Sequence, residues 1–182
     1  VLILTPMGEI GESPRDFGRA YSSAVWVYRC INLIALSVAS VPLKLYRKSP
    51  EGMMEEVHRH PLLYLLADVN PYNMNASDLW KATIIALKTY GNCYWYLEFG
   101  GTSQPREVYW LHPERVEIIP DPREYVKGYR YQADGRSITY EPEQVIHFRY
   151  FNPRSEYYGL SPITIARESI NAELNALAWN KA

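Results

Sequence analysis

Residues 75–99, NASDLWKATIIALKTYGNCYWYLEF, change their hydrophobic period in mid-run. Up to Tyr90, the positions Leu79, Thr83, Ala86, Leu87 and Tyr90 recur at helical spacing and make one face. Asn75 or Ser77 stands where an N-cap belongs, with Asp78 in the favourable first turn, and Gly91 supplies the residue that closes a helix in left-handed backbone. From Asn92 the period becomes two: Cys93, Trp95, Leu97 and Phe99 alternate with Tyr94, Tyr96 and Glu98, which predicts a strand with two distinguishable faces. A helix feeding directly into such a strand sets the class as α+β.

The chain before this stretch predicts a helix from Ala24 to Ser40, capped by Ser22 or Ser23, with Val27, Ile31, Ile34 and Val38 on one face. Only Arg29, Asn32 and the serines interrupt its apolar character, so it is expected to be buried or sandwiched as the keystone of the core, with Ile31 and Ile34 both contributing. Pro42 ends it before a strand at Leu43 to Arg47, followed by a charged loop from Lys48 to His60. A short helix from His60-Pro61-Leu62 to Leu66 is broken at Asn70-Pro71-Tyr72-Asn73. Residues 1–23, with Pro6, Gly8, Gly11 and Pro14, read as an extended N-terminal arm, and residues 24–182 as one domain.

Beyond the central strand, Glu107 to Leu111, Val116 to Ile119, Gly128 to Gln132, Ser137 to Tyr140 and Val145 to Phe151 read as strands, with a hairpin turn at Asp134-Gly135. Ser161 as N-cap and Pro162 at the first position open a last helix carrying Ala166, Ile170, Leu174 and Leu177 on one face. The architecture expected is a mostly antiparallel sheet flanked by helices and ending in a long helix. Val1 is not an initiator Met and no stop signal precedes Ala182, so the sequence is expected to be a fragment of a longer protein.

Composition narrows the function. In 182 residues, 47% are hydrophobic and 21% charged, as in folded globular chains, and the net charge of −1 provides no global field for nucleic acid or an anionic membrane. The most apolar stretch, Ala24 to Ser40, is too short and too polar for a membrane span. Cys30 and Cys93 lie far apart with no zinc-like spacing, which fits a reducing compartment. No glycine-rich phosphate loop occurs. Gly159-Leu160-Ser161-Pro162-Ile163 lacks the second glycine of a nucleophile elbow, and Pro162 removes the N–H that an oxyanion hole needs, so Ser161 is a helix cap. His58 and His60 sit in the charged loop without further converging ligands, and His147 lies on a strand as a structural histidine. No catalytic, cofactor or metal residues are assigned. Lys127-Gly128-Tyr129-Arg130-Tyr131 departs from an RNA-reading strand at Arg130 and reads as an ordinary hairpin strand.

A series of short blocks goes further: Val27-Tyr28-Arg29-Cys30-Ile31-Asn32-Leu33-Ile34-Ala35 with Val38 to Leu43; His60-Pro61-Leu62 with Leu65-Leu66; Asn70-Pro71; Gly91-Asn92-Cys93-Tyr94; Leu111-His112-Pro113 with Val116; Val145-Ile146-His147-Phe148; and Gly159-Leu160-Ser161-Pro162. In this order, over residues 24–182, they resemble the N-terminal half of the portal protein of long-tailed bacteriophages. The resemblance implies a wing-like α+β domain whose final helix leads toward a stem and clip not present here. It also implies a structural subunit of a ring of about twelve copies at one capsid vertex in the virion, assembled in the host bacterial cytoplasm. Such a ring is a conduit through which a separate terminase packages double-stranded DNA and through which the genome is later ejected. Its implied partners are further copies of itself, capsid and scaffold proteins, the terminase, a head-tail adaptor and DNA passing without sequence preference. The channel-lining residues are expected in the absent half.

Sixteen tyrosines and five tryptophans are unusual for this length. Large amphipathic rings suit contacts between neighbouring subunits, which makes Tyr94, Tyr96, Tyr109, Trp110, Tyr129, Tyr131, Tyr157 and Tyr158 interface candidates, with packing in the chain's own core as the alternative for each. A different functional class, an aromatic-rich nucleic-acid or carbohydrate binding module without ring assembly, remains open at this point. Residues 1–182 alone are expected to assemble weakly or not at all.

Overall fold

The computed structural model describes residues 13–72 and 74–179. The expected arm over residues 1–12, Asn73 in the expected helix break, and the side chain of Leu177 lie outside the described residues. The chain is α+β, with antiparallel sheets flanked by helices.

The first element corrects the extended-arm reading. Pro14–Ser23 is a helix, α1. Ser13 and Asp16 form a reciprocal capping box, Pro14 occupies the first turn where its missing N–H costs nothing, and Phe17, Ala20 and Ala24 bury one face. The local signature Ser-x-x-Asp outweighs the glycines and prolines upstream. Ser22 and Ser23 therefore end α1 and do not cap the next helix. The cap of α2 (Val25–Ala39) is Ala24, without a side-chain bond, at a bend of 95° between the two helices.

The expected burial of α2 is also corrected. Only Ile31 and Ala35 are buried, whereas Trp26 is 64%, Leu33 68%, Leu36 56% and Ile34 41% exposed. One helix can present only one face to α1 and α4, and α2 carries apolar side chains on the other face too. Ile31→Ala is therefore expected to cost about 2–3 kcal/mol in a urea melt, while Ile34→Ala should stay within about 1 kcal/mol. Equal costs would contradict this placement. No single helix among the described residues is long and apolar enough to cross a membrane.

Tyr46–Lys48 and Met54–Glu56 form the hairpin β1–β2, so part of the expected charged loop is a strand. Gly52 at φ 87° supplies its turn, and Lys44 reaches Glu56 at 3.2 Å beside it. α3 (Pro61–Ala67) is capped by His60, whose Nδ1 accepts from the Leu62 N–H at 3.2 Å. α4 (Ala76–Tyr90) starts at Asn75, whose side chain accepts from the Asp78 N–H at 3.0 Å, and ends at Gly91 with φ 75°.

The central strand β3 (Asn92–Glu98) lies between β4 (Glu107–Leu111) and β8 (Val145–Arg149) in one antiparallel sheet. A second antiparallel sheet has the order β5 (Val116–Asp121), β6 (Tyr125–Ala133), β7 (Arg136–Tyr140), with Asp134 and Gly135 both at positive φ in the β6–β7 turn. The two faces of β3 build two cores. Cys93 and Trp95 pack with Leu79 and Ala86 of α4, while Tyr94 packs with Leu111, Val116, Ile118, Tyr129 and Val145. A third core joins Phe17, Ala20 and Ile31 to Ile163, Ile170 and Leu174 of α5 (Pro162–Trp179).

Candidate functional site

Three of the blocks singled out in the sequence meet at one place, the corner where α4 turns into β3. Gly91 is there because left-handed backbone is needed to make the turn, and Gly159 because the two chains touch. A Cβ on Gly159 would stand 2.1 Å from the Gly91 carbonyl oxygen, and one on Gly91 would stand 2.6 Å from that of Gly159. The Tyr150 N–H donates to the Gly91 carbonyl at 3.0 Å across the same contact.

Asn92 fastens this corner. Its amide nitrogen donates to the Tyr90 carbonyl at 2.9 Å, and its Oδ1 accepts from the Gly159 N–H at 2.8 Å. His147 Nε2 lies 3.0 Å from the same oxygen, so the neutral ring carries its proton on Nε2. That ring is stacked on Tyr94 with centroids 4.4 Å apart. Ser161 completes the junction: its Oγ donates to the Thr89 carbonyl at 2.6 Å and accepts from the Ile163 N–H at 3.0 Å. Ser161 is the cap that seats α5 against the end of α4. Among the described residues its hydroxyl is directed at backbone carbonyls, those of Thr89 and Lys88.

Burial, with Arg149 adding a smaller effect, pushes the His147 pKa down to about 4. The folded state thus holds His147 neutral while the unfolded chain binds a proton near the ordinary value of about 6.5, so its contribution to stability is fully present above about pH 6.5 and fades as pH falls toward about 4. A loss of about 2 kcal/mol over that window is expected, measured by urea midpoints against pH. His147→Gln should flatten the profile there, and an unchanged slope in the variant would show that another group sets it.

The other histidines are dispersed. His58 lies 3.9 Å from Glu56 in the hairpin region, His60 caps α3, and the Nδ1 of His112 accepts from the Glu114 N–H at 3.3 Å in the turn before β5. Among the described residues no group of three His, Cys, Asp or Glu side chains could hold a metal ion. Cys93 is buried, which raises its thiol pKa to about 12, and Cys30 is exposed on α2. An open depression of about 650 Å³ is lined by Tyr125, Arg149, Phe151, Arg154 and Glu156. Arg149 donates within it to the Glu156 carbonyl. The polar groups of the Asn92 corner are engaged in hydrogen bonds that fasten three segments of the chain together.

The aromatic interface candidates separate by burial. Tyr94 and Tyr129 are buried in the chain's own core. Tyr96, Tyr109, Trp110, Tyr131 and Tyr157 are half-buried, with Tyr96 stacked on Tyr140 at 4.3 Å and Tyr157 on Tyr125 at 4.9 Å. Tyr158 is exposed, and its hydroxyl accepts from the Ile118 N–H at 3.0 Å, tying the loop before α5 to β5. Asn92 was not among the candidates. Its position directly after a helix-closing glycine marks a corner in the sequence, but its partner lies 67 residues away and local pattern does not reveal it.

The chain is 32% identical over 167 residues to an uncharacterised protein of Rickettsia bellii, covering 88% of this chain and 42% of that protein. It is 26% identical over 164 residues to the portal protein of Enterobacteria phage HK97, covering 89% of this chain and 38% of that protein. Its fold matches a chain in the neck of a gene transfer agent (GTA) particle, both in the empty particle computed with C6 symmetry (TM-score 0.84, 26% identity, 94% of this chain and 46% of that chain) and in the native particle computed with C12 symmetry (TM-score 0.76, 25% identity, 93% and 45%). The chain spans less than half the length of these relatives. Residues 25–182 match the family model of the phage portal protein, and the chain belongs to that family.

Proposed function

We propose that this chain is the wing region of a portal subunit, one of about twelve copies in a ring at a single capsid vertex of a virion. The ring is a conduit: a separate terminase drives double-stranded DNA through it into the head, and the genome later leaves the same way. Capsid and scaffold proteins, the terminase and a head-tail adaptor are its partners, and the stem and clip that line the channel and meet the terminase belong to the part of the protein beyond this region. The fold shared with the GTA neck carries this reading. One feature agrees with it: the polar groups at the Asn92 corner serve cohesion. A catalytic role is not part of the proposal. The packed rings of Tyr94, Tyr96, Tyr129 and Tyr140 support a structural role over a stacking platform for bases or sugars.

The test is genetic. Removing the full-length protein from the producing cell should leave empty heads, with no DNA-filled particles recovered on a density gradient. DNA-filled heads in normal yield without the protein would refute the conduit role.

A further inference from the structure

The outward face of α2 is the least explained surface of the chain. Val25, Trp26, Leu33 and Leu36 point away from the core that holds Ile31, while past the helix end Val41 and Leu43 line a separate groove with Leu63, Leu66 and Trp80. Exposures of 54–68% on these four α2 side chains leave on the order of 450 Å² of apolar surface in water, within the range of a typical monomer's largest patch and more than half of the roughly 800 Å² that each partner gives to a standard interface. A second apolar patch lies where the chain enters α5. Phe151 is 86% and Ile165 75% exposed there, beside Leu160 and Pro162 in one open groove. Both helices bury their opposite faces in the same core of Phe17, Ile31, Ile163 and Ile170, so the two bare patches look outward on different sides.

Two different patches on different sides are what a head-to-tail contact requires, and a head-to-tail contact repeated by rotation closes a ring. Arg29 is the only charged residue of α2 and is exposed among its outward side chains; on the other patch Glu168 is exposed on α5 one turn from Ile165, and Lys88 lines the groove with its ammonium over the Tyr150 ring. We infer that the outward face of α2 is covered by a second copy of this chain, seated on the Phe151–Ile165 patch of the next subunit. This rests on the ring reading above and names the contact that builds the ring. It also moves the main interface from the aromatic sheet residues to α2.

Cys30 provides a native probe, because it is exposed on α2 while Cys93 is buried. Full-length protein labelled with ¹⁵N is mixed with unlabelled protein and assembled, a thiol-reactive photo-crosslinker is attached at Cys30 of the dissociated chains beforehand, and cross-linked peptides are read by mass spectrometry. In parallel, alkylation of unmodified Cys30 is timed in ring and dissociated chain. The expected result is at least tenfold slower alkylation in the ring, with mixed-isotope cross-links from Cys30 to the segment 150–166. Cross-links confined to single-isotope pairs would mean that another part of the same polypeptide covers α2 and would overturn the inference. So would mixed-isotope cross-links only to other segments, or unchanged alkylation in an assembled ring, and each of these leaves the ring reading standing. Failure of the unmodified full-length protein to form any ring would instead overturn the ring reading itself.

Discussion

Gly159→Ala is expected to lower the stability of this domain by about 3 kcal/mol or more, an overpacking cost at the upper end of its usual range. The new methyl would meet backbone on two sides, 2.1 Å from the Gly91 carbonyl oxygen and 2.8 Å from the Tyr150 nitrogen, and backbone cannot swing aside as a long side chain can. Relief requires the linker before α5 to lift off the α4–β3 corner. That movement would loosen the Gly159–Asn92 and Tyr150–Gly91 hydrogen bonds and leave Asn92 and His147 underbonded. The urea midpoint measures the effect, with Gly101→Ala as the comparison. Gly101 has a positive φ of 77° but nothing within 4 Å of its added methyl, so that variant carries only local backbone strain of about 1 kcal/mol. A Gly159→Ala domain as stable as Gly101→Ala would show that the corner is loose.

Trp95→Ala should cost about 3–5 kcal/mol, as deletions of buried large aromatics do. Trp95 is 4% exposed, packs edge-on against Trp80 at 5.2 Å and Phe148 at 4.9 Å, and donates its indole N–H to Thr83 Oγ1 at 2.9 Å. Its removal opens a cavity between α4 and the β4–β3–β8 sheet and takes one of two hydrogen bonds from the buried Thr83 hydroxyl, which keeps its bond to the Leu79 carbonyl at 2.7 Å. Trp26→Ala changes the same atoms on a side chain that is 64% exposed, and its effect on the thermal midpoint of the isolated domain should be within about 0.5 kcal/mol. If the two variants melted together, the assignment of inside and outside on these elements would be wrong.

The comparison of the two tryptophans shows what sequence makes legible. The switch of period at Gly91 located α4 and β3, and the alternation along β3 correctly separated Cys93 and Trp95 from Tyr94, because each face meets a different partner within this chain. The same kind of pattern misled at α2. Hydrophobicity records that a face is destined for burial, but not whether the cover comes from the same chain, and here Leu33 and Leu36 are exposed. At α1 the signal is present in Ser13 and Asp16, and in the fold it prevails over the neighbouring glycines and prolines that suggest an arm. The Asn92 corner was legible only as blocks. Gly91-Asn92, Val145 to Phe148 and Gly159 to Pro162 stood out in sequence, yet their meeting depends on contacts across as many as 67 residues that no local rule encodes.

Native mass spectrometry of the full-length protein shows whether its subunits close into a ring. A discrete closed species of about twelve subunits is expected, with the monomer population falling as concentration rises. A folded full-length protein that remains monomeric across the whole concentration range would contradict the ring reading.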